Sequence, residues 1–303
     1  MGYHSFRFAV DSAEDARRIF DSVCRDAVEK PYAWFRYLSS GGVGATPVSR
    51  EEVAFLHSHG VAVGLVWNDV GWTSAPTGTT SMRVTSVYAL AQESARRAAS
   101  AARSVSAPGG VALWADLEYG IAVDPEWLSG WALEVRLEGF LPGFYASMQA
   151  PYWRIPWNRA RESVGEALLW CADWDTGLQQ ATAGRLLANL RLPVLEEPAA
   201  VYQVAGNAYG GQVDLDVVDA ALLPSVALWR PVASPAAAGG AVSLRPADGW
   251  RVVVDGAAIT APLALAEGDE LLVGIRSICS ALGASVSVHG HTAAVSSGRE
   301  VQR

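Results

Sequence analysis

Cysteine is scarce in this chain, and its spacing excludes two common kinds of architecture. Only three cysteines occur in 303 residues, Cys24, Cys171 and Cys279. They are too few for a disulfide framework, and none is close enough to another in sequence for a typical zinc site. We therefore expect reduced and mostly buried thiols.

Positive charge and long apolar runs are also lacking. The chain has 31 acidic against 23 basic residues, a net charge of −8, and no block rich in Lys and Arg. Phosphate backbones and anionic lipids require the opposite charge, so we expect no nucleic-acid partner. The N-terminal MGYHSFRFAVDS has no basic region followed by a long apolar one, and no run of 18 apolar residues exists. Neither a signal peptide nor membrane insertion is expected.

The clearest break in the chain is a stretch rich in Pro, Ala, Gly and Ser. This stretch, RPVASPAAAGGAVSLRPADG at 230–249, has no apolar period and is typical of a linker. It predicts a large domain at 1–230, a linker at 231–248 and a small domain at 249–303.

In the large domain, short apolar runs alternate with longer stretches of helical spacing, at 12–28, 49–60, 83–105 and 124–139. This is the pattern of a parallel sheet with crossover helices, and eight runs predict an α/β fold, a (β/α)8 TIM barrel. An open doubly wound sheet is the alternative, but GGVGAT (41–46) lacks the Lys and the following helix of a phosphate loop. The predicted strands are 2–6, 33–38, 61–67, 111–118, 141–147, 167–174, 199–204 and 212–217, with no clear helix between the last two.

The apolar run VALWADLE ends on two acids, Asp116 and Glu118. Side chains alternate along a strand, so both acids face one side, about 6.5–7 Å apart along the strand. The carboxyl end of a barrel strand is where such folds place chemistry. Two carboxyl groups in unlike environments suit general acid–base work such as glycoside hydrolysis. The alternative is a loop cap or an ion pair with arginine.

Aromatic residues are abundant, with twelve tryptophans in the chain. Rings with a polar tip line small-molecule clefts and can pack on the apolar faces of sugars, although core packing also accounts for many of them. Those that flank predicted strand ends are Tyr3, Trp67, Trp72, Trp114, Tyr119, Tyr145, Trp170, Trp174 and Tyr202.

The motifs GYHS, FRYLSS, WADLEYG, LPGFYASM, LLWCADW, VYQVAG and QVDLD occur in an order and spacing that resemble a known family. This is the glycoside-hydrolase-like domain of unknown function related to the family-25 lysozymes of bacterial and phage cell-wall proteins, and the resemblance covers about residues 1–220. It implies a TIM barrel directed at the glycan of peptidoglycan, or at another cell-wall glycan.

The resemblance also implies roles for individual residues. Glu118 would be the proton donor and Asp116 the assisting carboxylate. An acid of the final strand, Asp214 or Asp216, would complete the catalytic set, and the match of the V-D pair favours Asp214. The expected substrate-binding residues are Tyr3, His4, Trp67, Tyr119, Tyr145, Trp170, Asp173, Tyr202, Gln203 and Asp216.

One position departs from the family pattern. The first strand of these families reads Gly, apolar, Asp, whereas this chain has Gly2, Tyr3 and His4. A first-strand carboxylate is therefore expected to be missing, with His4 as a substrate ligand, a base or a structural donor. Asp11 precedes a helical run and is interpreted as a loop or cap residue.

No metal or other cofactor is expected. His57 and His59 end a predicted helix, and His289 and His291 sit at a hairpin-like turn. Neither pair has acids or cysteines nearby in sequence to complete a metal site, so structural or solvent-facing roles are expected.

The C-terminal segment LLVGIRSICSALGASV resembles the copper-amine-oxidase N-terminal-like module, with Gly274 in place of the usual proline. Despite its name, that module supplies no copper ligands. The resemblance implies an accessory domain for adhesion or targeting. The alternative is a stabilising appendage that self-associates or joins a phage particle.

Two function classes follow. The first is a lysozyme- or endolysin-type hydrolase, made in the cytoplasm and acting at the cell wall after release. The second is a non-catalytic glycan-binding protein, or a structural component of a virion or wall, on the same scaffold.

Overall fold

The structure, a computed structural model, describes two compact units, residues 1–232 and 233–303. The predicted linker lies almost wholly outside the described residues, and the identity of the small domain stays a prediction. Within the described residues, no helix is long and apolar enough to cross a membrane. The described residues are 6–26, 30–41, 45–71, 86–118, 122–172, 192–211, 213–224, 227–231, 251–254, 257–259, 284–289 and 292–297.

The first unit is a closed eight-stranded barrel in which the strands pair in chain order, β1 to β8, and β8 closes onto β1. The predicted α/β barrel is thus confirmed. All of the strands except β1 lie close to their predicted positions. The strands are β1 Phe6–Ser12, β2 Ala33–Tyr37, β3 Ala62–Trp67, β4 Ala112–Leu117, β5 Leu141–Ala146, β6 Leu168–Cys171, β7 Val201–Asn207 and β8 Val213–Asp219.

The prediction for the first strand was wrong. The strand was expected at 2–6, but β1 runs from Phe6 to Ser12, and residues 2–5 lie outside the described residues. Asp11 is therefore not a loop or cap residue. It pairs with Asp214 of β8 in strand register and is only 6% exposed. The barrel does have a first-strand carboxylate.

The last strand runs against its neighbours. Strands β1 to β7 pair in parallel, whereas β8 is antiparallel to both β7 and β1. An antiparallel pair can be joined by a short connection, here the four-residue helix Ala208–Gly211. This explains why no crossover helix is evident in the sequence there. We call the edge where β1–β7 end and β8 begins the mouth of the barrel.

A helix follows each of the strands β1 to β5 and covers the outside of the barrel there. Three of the longer ones begin after a side-chain cap, Ser49, Ser86 or Asp124, which accepts a backbone N–H of the first turn. The fifth helix was not predicted. The helices are α1 Phe20–Asp26, α2 Arg50–Ser58, α3 Val87–Ser104, α4 Pro125–Leu137 and α5 Pro151–Val164.

Large aromatic rings fill the barrel beneath its mouth. The rings of Phe35, Trp114 and Trp170 pack against one another with centroids 4.4–6.2 Å apart, and none is more than 1% exposed. Glycine makes room for two of them. A Cβ at Gly64 would lie 2.1 Å from the Phe35 ring, and one at Gly143 would lie 2.6 Å from the Trp114 ring. These rings form a rigid floor for the mouth.

The second unit contains a four-stranded sheet in the order β10-β9-β12-β11. Its two hairpin pairs are antiparallel, and the central pair, β12 with β9, is parallel. The strands are β9 Arg251–Val254, β10 Ala257–Ile259, β11 Ala284–His289 and β12 Thr292–Ser297.

Candidate functional site

Four carboxyl groups from three strands of the barrel come together at the mouth. Asp11 is the last residue but one of β1, Asp116 is the last but one of β4 with Glu118 just beyond that strand, and Asp214 is the second residue of β8. Because β8 is antiparallel, the acid at its beginning lies at the same edge as the acids at the ends of the parallel strands. Asp214 therefore occupies the mouth, although it opens the final strand instead of ending it.

Asp116 and Glu118 differ in environment. Asp116 is 3% exposed, and its Oδ1 has no hydrogen-bond partner among the described residues. Burial, and then the charge of Glu118, raise the pKa of Asp116 well above its ordinary value, while a hydrogen bond from Tyr37 lowers it in part. Glu118, by contrast, is exposed.

The side-chain amide of Gln203 connects the acids on the other side of the mouth. Its Oε1 accepts the Tyr145 hydroxyl at 3.1 Å, which fixes the orientation of the amide. Its Nε2 then donates to Asp214 Oδ2 at 2.8 Å and to Asp11 Oδ2 at 3.3 Å. One amide thus holds two carboxyl groups side by side.

Crowding raises the pKa of both of these acids. For Asp11 the largest cause is burial, followed by the charge of Asp214. For Asp214 it is again burial, opposed by a hydrogen bond of 2.6 Å from the backbone N–H of Asn207 to Oδ1. Asn207 has a positive φ of 56°, in the turn that reverses the chain between β7 and β8.

The two tyrosines at the mouth stay neutral. Burial, followed by the surrounding carboxyl groups, raises the pKa of both Tyr37 and Tyr145. A neutral phenol hydroxyl can donate a hydrogen bond, as Tyr145 does to Gln203. The Tyr145 ring also packs edge-on against Trp170, with centroids 4.9 Å apart.

Two predicted substrate-binding residues lie at the inner face of the barrel but below the mouth. Asp216 is fully buried, and its Oδ1 accepts the indole N–H of Trp170 at 3.1 Å. Trp170 is 1% exposed and belongs to the aromatic floor. Both residues support the site without reaching its surface.

Two other predicted residues face away from the mouth. Trp67 is on the outside of β3, where its indole N–H donates to Ser94 of α3 at 3.0 Å. Tyr202 is on the outside of β7, where its hydroxyl accepts the backbone N–H of Ala199 and its ring packs edge-on against Phe6. Side chains alternate along a strand, so Val66 and Gln203 are the inward neighbours. These two expectations were therefore wrong in placement.

The remaining predicted residues cannot be placed: Tyr3, His4, Tyr119 and Asp173 lie outside the described residues. Sequence reasoning also missed two residues of the mouth. Asp11 could have been found from the alternation in FAVDS, which puts it on the same face as Ala9. Tyr37 lies within the quoted motif FRYLSS but was not selected.

A polar pair just past β2 and β3 extends the mouth. The hydroxyl of Ser39 donates to Asn68 Oδ1 at 2.6 Å. The Nδ2 of Asn68 is buried and has no hydrogen-bond partner among the described residues.

No basic side chain neutralises the acids within the part of the chain that is described, where every ion pair of Arg involves other residues. The alternative of an arginine-paired Glu118 thus finds no support there. Over the same residues, no group of three His, Cys, Asp or Glu is arranged to hold a metal ion. His57 and His59 contact backbone carbonyls of Trp229 and Phe55.

Comparison with known proteins agrees with this fold. The solved structures that are similar to this chain include the following two. An uncharacterized B. stearothermophilus protein is 24% identical, with a TM-score of 0.62, and the match covers 74% of this chain and 100% of that one. The modular autolysin LytC from Streptococcus pneumoniae is 11% identical, with a TM-score of 0.43, and the match covers 72% of this chain and 47% of that one. No curated protein matches.

A family model described as "Rv2525c-like, glycoside hydrolase-like domain" matches residues 29–221. The match takes in β2 to β8, and with them Asp116, Glu118 and Asp214, but it begins after Asp11. It also ends before the second unit, so the resemblance of that unit to the copper-amine-oxidase-like module stays a prediction. Because the match covers more than half of the chain, this protein belongs to the family of Rv2525c-like, glycoside hydrolase-like domains.

Proposed function

We propose that the barrel is a glycoside hydrolase that cleaves the glycan of peptidoglycan. The observation that carries this proposal is the convergence of Asp11, Asp116, Glu118 and Asp214 at the barrel mouth. Glycoside hydrolysis uses carboxyl groups on the two sides of the scissile bond, one to donate a proton and another to stabilise positive charge. Membership of a glycoside hydrolase-like family supports the same reaction class.

In this proposal, Glu118 is the acid. It donates its proton to the glycosidic oxygen as the bond between that oxygen and the anomeric carbon breaks. A water molecule adds to the anomeric carbon, and the proton that it loses returns to a carboxylate of the site. One water is consumed, and the enzyme regains its starting protonation. Asp11 and Asp214 face the positive charge that develops on the sugar.

Asp116 is proposed to hold the substrate. Its Oδ1 receives no hydrogen bond among the described residues, and in this proposal a substrate in the mouth supplies one. The N–H of an acetamido group, which amino sugars of cell-wall glycans carry, fits that requirement. Tyr37 holds the carboxyl group from the opposite side and so fixes its direction.

One observation favours a second candidate function, glycan binding without cleavage. General acids of glycosidases usually sit in apolar surroundings that raise their pKa. Here the buried acid is Asp116, while Glu118 is exposed. A binding protein of a cell wall or virion would need the cleft and the tyrosines but no acid.

The two candidates differ in one experiment. Purified peptidoglycan is incubated with wild-type protein, Glu118→Gln and Asp116→Asn, and newly formed reducing ends are counted. The matched control is Glu162→Gln, which changes an exposed acid of α5 on the outside of the barrel. Hydrolysis by wild type and by the control, but not by Glu118→Gln, supports the hydrolase. Sedimentation of the wild type with the glycan, without new reducing ends, supports the binding protein.

The second unit is proposed to direct the barrel to its site of action, by adhesion to the wall or by self-association in a particle. A protein released from the cytoplasm when a host cell is opened, and a virion component, are both compatible with such a unit. Comparing the full chain with a chain that ends at residue 232 in the sedimentation assay tests the adhesion. If the unit is an adhesin, the shorter chain sediments less with the glycan.

A further inference from the structure

Asp216 is a fully buried carboxyl group in the middle of the barrel wall. In strand register it lies opposite Gln203 of β7 and Ala9 of β1. Asp11 is its diagonal neighbour on β1, on the same face of the sheet. The side chain is 0% exposed. The proposed reaction does not use it, because no substrate can touch it.

The two oxygens of Asp216 have different surroundings. Its Oδ1 accepts the indole N–H of Trp170 at 3.1 Å. Its Oδ2 is buried and receives no hydrogen bond from an N–H or O–H group of the described residues. Burying a carboxylate costs free energy when one of its oxygens receives no hydrogen bond. If that oxygen is protonated instead, it needs a hydrogen-bond acceptor and not a donor. Asp11, on the neighbouring strand β1, carries a carboxyl group that can accept this proton. A hydrogen bond with Asp11 is also among the causes that raise the pKa of Asp216.

The direction of that hydrogen bond follows from Gln203. Since Tyr145 occupies its oxygen, the amide of Gln203 can only donate to Asp11 and Asp214. Asp11 therefore acts as an acceptor toward Gln203, and it is the natural acceptor toward Asp216 as well. Two donors then stabilise a negative charge on Asp11, and the proton belongs to Asp216.

We propose that Asp216 is a positioning residue, which stays protonated and donates a hydrogen bond that holds the Asp11 carboxylate charged and oriented at the mouth. The inference rests on the proposed function, in which Asp11 faces the substrate. It assigns a role to the second acid of the V-D-L-D motif that is distinct from substrate contact.

Burial and two neighbouring charges favour a proton on Asp216. Burial is the largest cause that raises the pKa of Asp216, followed by the charges of Asp11 and Asp214. The charges of Asp214 and of Asp116, from β4, act in the opposite direction on Asp11, because they raise its pKa as well. Tyr145 from β5 and Tyr37 from β2 are neutral hydroxyl groups, and no Arg or Lys of the described residues pairs with the two acids.

The test is a carboxyl ¹³C NMR titration of Asp11 in the full-length protein, which needs no substrate. Asp216→Asn keeps both contacts, because an amide oxygen can accept from Trp170 and an amide N–H can donate to Asp11. In Asp216→Asn, the midpoint of the Asp11 titration is therefore expected to match that of wild type. Asp216→Leu removes the donor, and we expect the Asp11 midpoint to rise by about one unit, a tenfold change in the protonation constant.

The opposite result would overturn the proposal. If Asp216 were ionised, both variants would remove a negative neighbour, and the Asp11 midpoint would fall in both. Asp219→Asn is the control, because Asp219 is a buried acid of the same strand at the other end of the barrel. It is expected to leave the Asp11 midpoint unchanged. A wild type that cleaves no glycan would refute the proposed function but would leave this titration fully informative.

Stability measurements give a second readout in case Asp216→Leu fails to fold. A carboxyl that stays protonated in the folded state makes wild type less stable as pH rises above the ordinary value of about 4. Asp216→Asn has no such loss. The ratio of its folding constant to that of wild type should therefore grow about tenfold per pH unit above that value. A ratio that does not change with pH contradicts a proton on Asp216.

Discussion

Gly143 is the position where the smallest change should disturb the site most directly. It lies opposite Trp114 in the β4–β5 register, and both side chains point into the barrel. A Cβ at this position would lie 2.6 Å from the Trp114 atoms Cδ2 and Cε3. Ordinary contacts are about 3.5–4.0 Å, so in Gly143→Ala the ring has to move by about 1 Å. Phe35 and Trp170 pack on its other sides and leave it little room.

The expected cost follows from this overpacking. Extra methyl groups in a filled core usually destabilise a protein by about 1–3 kcal/mol, and we expect Gly143→Ala to lie in that range. Because Asp116 follows Trp114 by two residues on the same strand, its position and any glycan cleavage should change as well. Trp114→Phe supplies a smaller ring and also removes an indole N–H that has no partner among the described residues.

A double-mutant cycle tests the reasoning. Urea unfolding is measured for wild type, Gly143→Ala, Trp114→Phe and the double mutant. If the methyl group and the indole collide, the smaller ring relieves the collision, and the double mutant is more stable than the sum of the single changes by about 1 kcal/mol or more. If the two single changes in unfolding free energy add to within about 0.5 kcal/mol, the missing Cβ at Gly143 does not make room for the Trp114 ring, and the packing described for the aromatic floor is wrong.

Three further outcomes can be measured by unfolding experiments. Arg36 and Glu52 form a buried ion pair with an N–O distance of 2.5 Å. Arg36→Met leaves the Glu52 charge buried and without its partner, so we expect it to lower the free energy of unfolding, measured in urea, by about 3–5 kcal/mol. Asp116→Asn should raise stability at pH 7. Burial raises the pKa of Asp116, so the folded wild type loses stability as pH rises above about 4. Thermal melting measured over a series of pH values should show the melting temperature of Asp116→Asn exceeding that of wild type by more as pH rises. Ser49→Ala removes the N-cap of α2 and should lower the free energy of unfolding by about 1 kcal/mol. The control Glu162→Gln should leave it unchanged.

The strands were the most predictable part of the fold. Strands buried on both faces read as continuous apolar runs, and such runs placed β2 to β8 to within a few residues. For β1 the chain offers two overlapping candidates, GYHSF and FRFAVDS. The first was predicted as the strand, and Asp11 was interpreted as a loop or cap residue because it precedes a helical run. Alternation in FRFAVDS, with Asp11 in phase with Ala9, argues for the second.

Helix α5 shows where local rules mislead. Its segment PYWRIPWNRARESV contains two prolines, which argue against a helix. Pro151 occupies the first turn, where no N–H is needed. Pro156 lies inside the helix and is tolerated because a buried face that includes Trp153 and Trp157, stacked 5.2 Å apart, anchors the helix to the barrel. The helix propensities of single residues do not reflect tertiary packing of this kind.

Which face of a strand looks inward could be known within one strand but not between strands. Asp116 and Glu118 fix the phase of β4, but nothing in the sequence relates that phase to β3 or β7. Trp67 and Tyr202 were chosen for their chemistry and proved to be in the outward phase. The inward phase of a strand is set by the register with its neighbours, which only the closed barrel defines.

The direction of β8, which closes the barrel, determines which acid of its motif lies deeper in the barrel. In the parallel strand β4, the second acid of A-D-L-E lies farther out, so Asp116 is the inner acid and Glu118 the outer. In the antiparallel strand β8 the order is reversed: Asp214, the first acid of V-D-L-D, is the outer one, and Asp216 is the inner. The exposures follow this order, since Asp116 is 3% and Asp216 0% exposed, whereas Glu118 is exposed and Asp214 partly so. The outer pair can therefore exchange protons with water, whereas the inner pair is largely shielded from it.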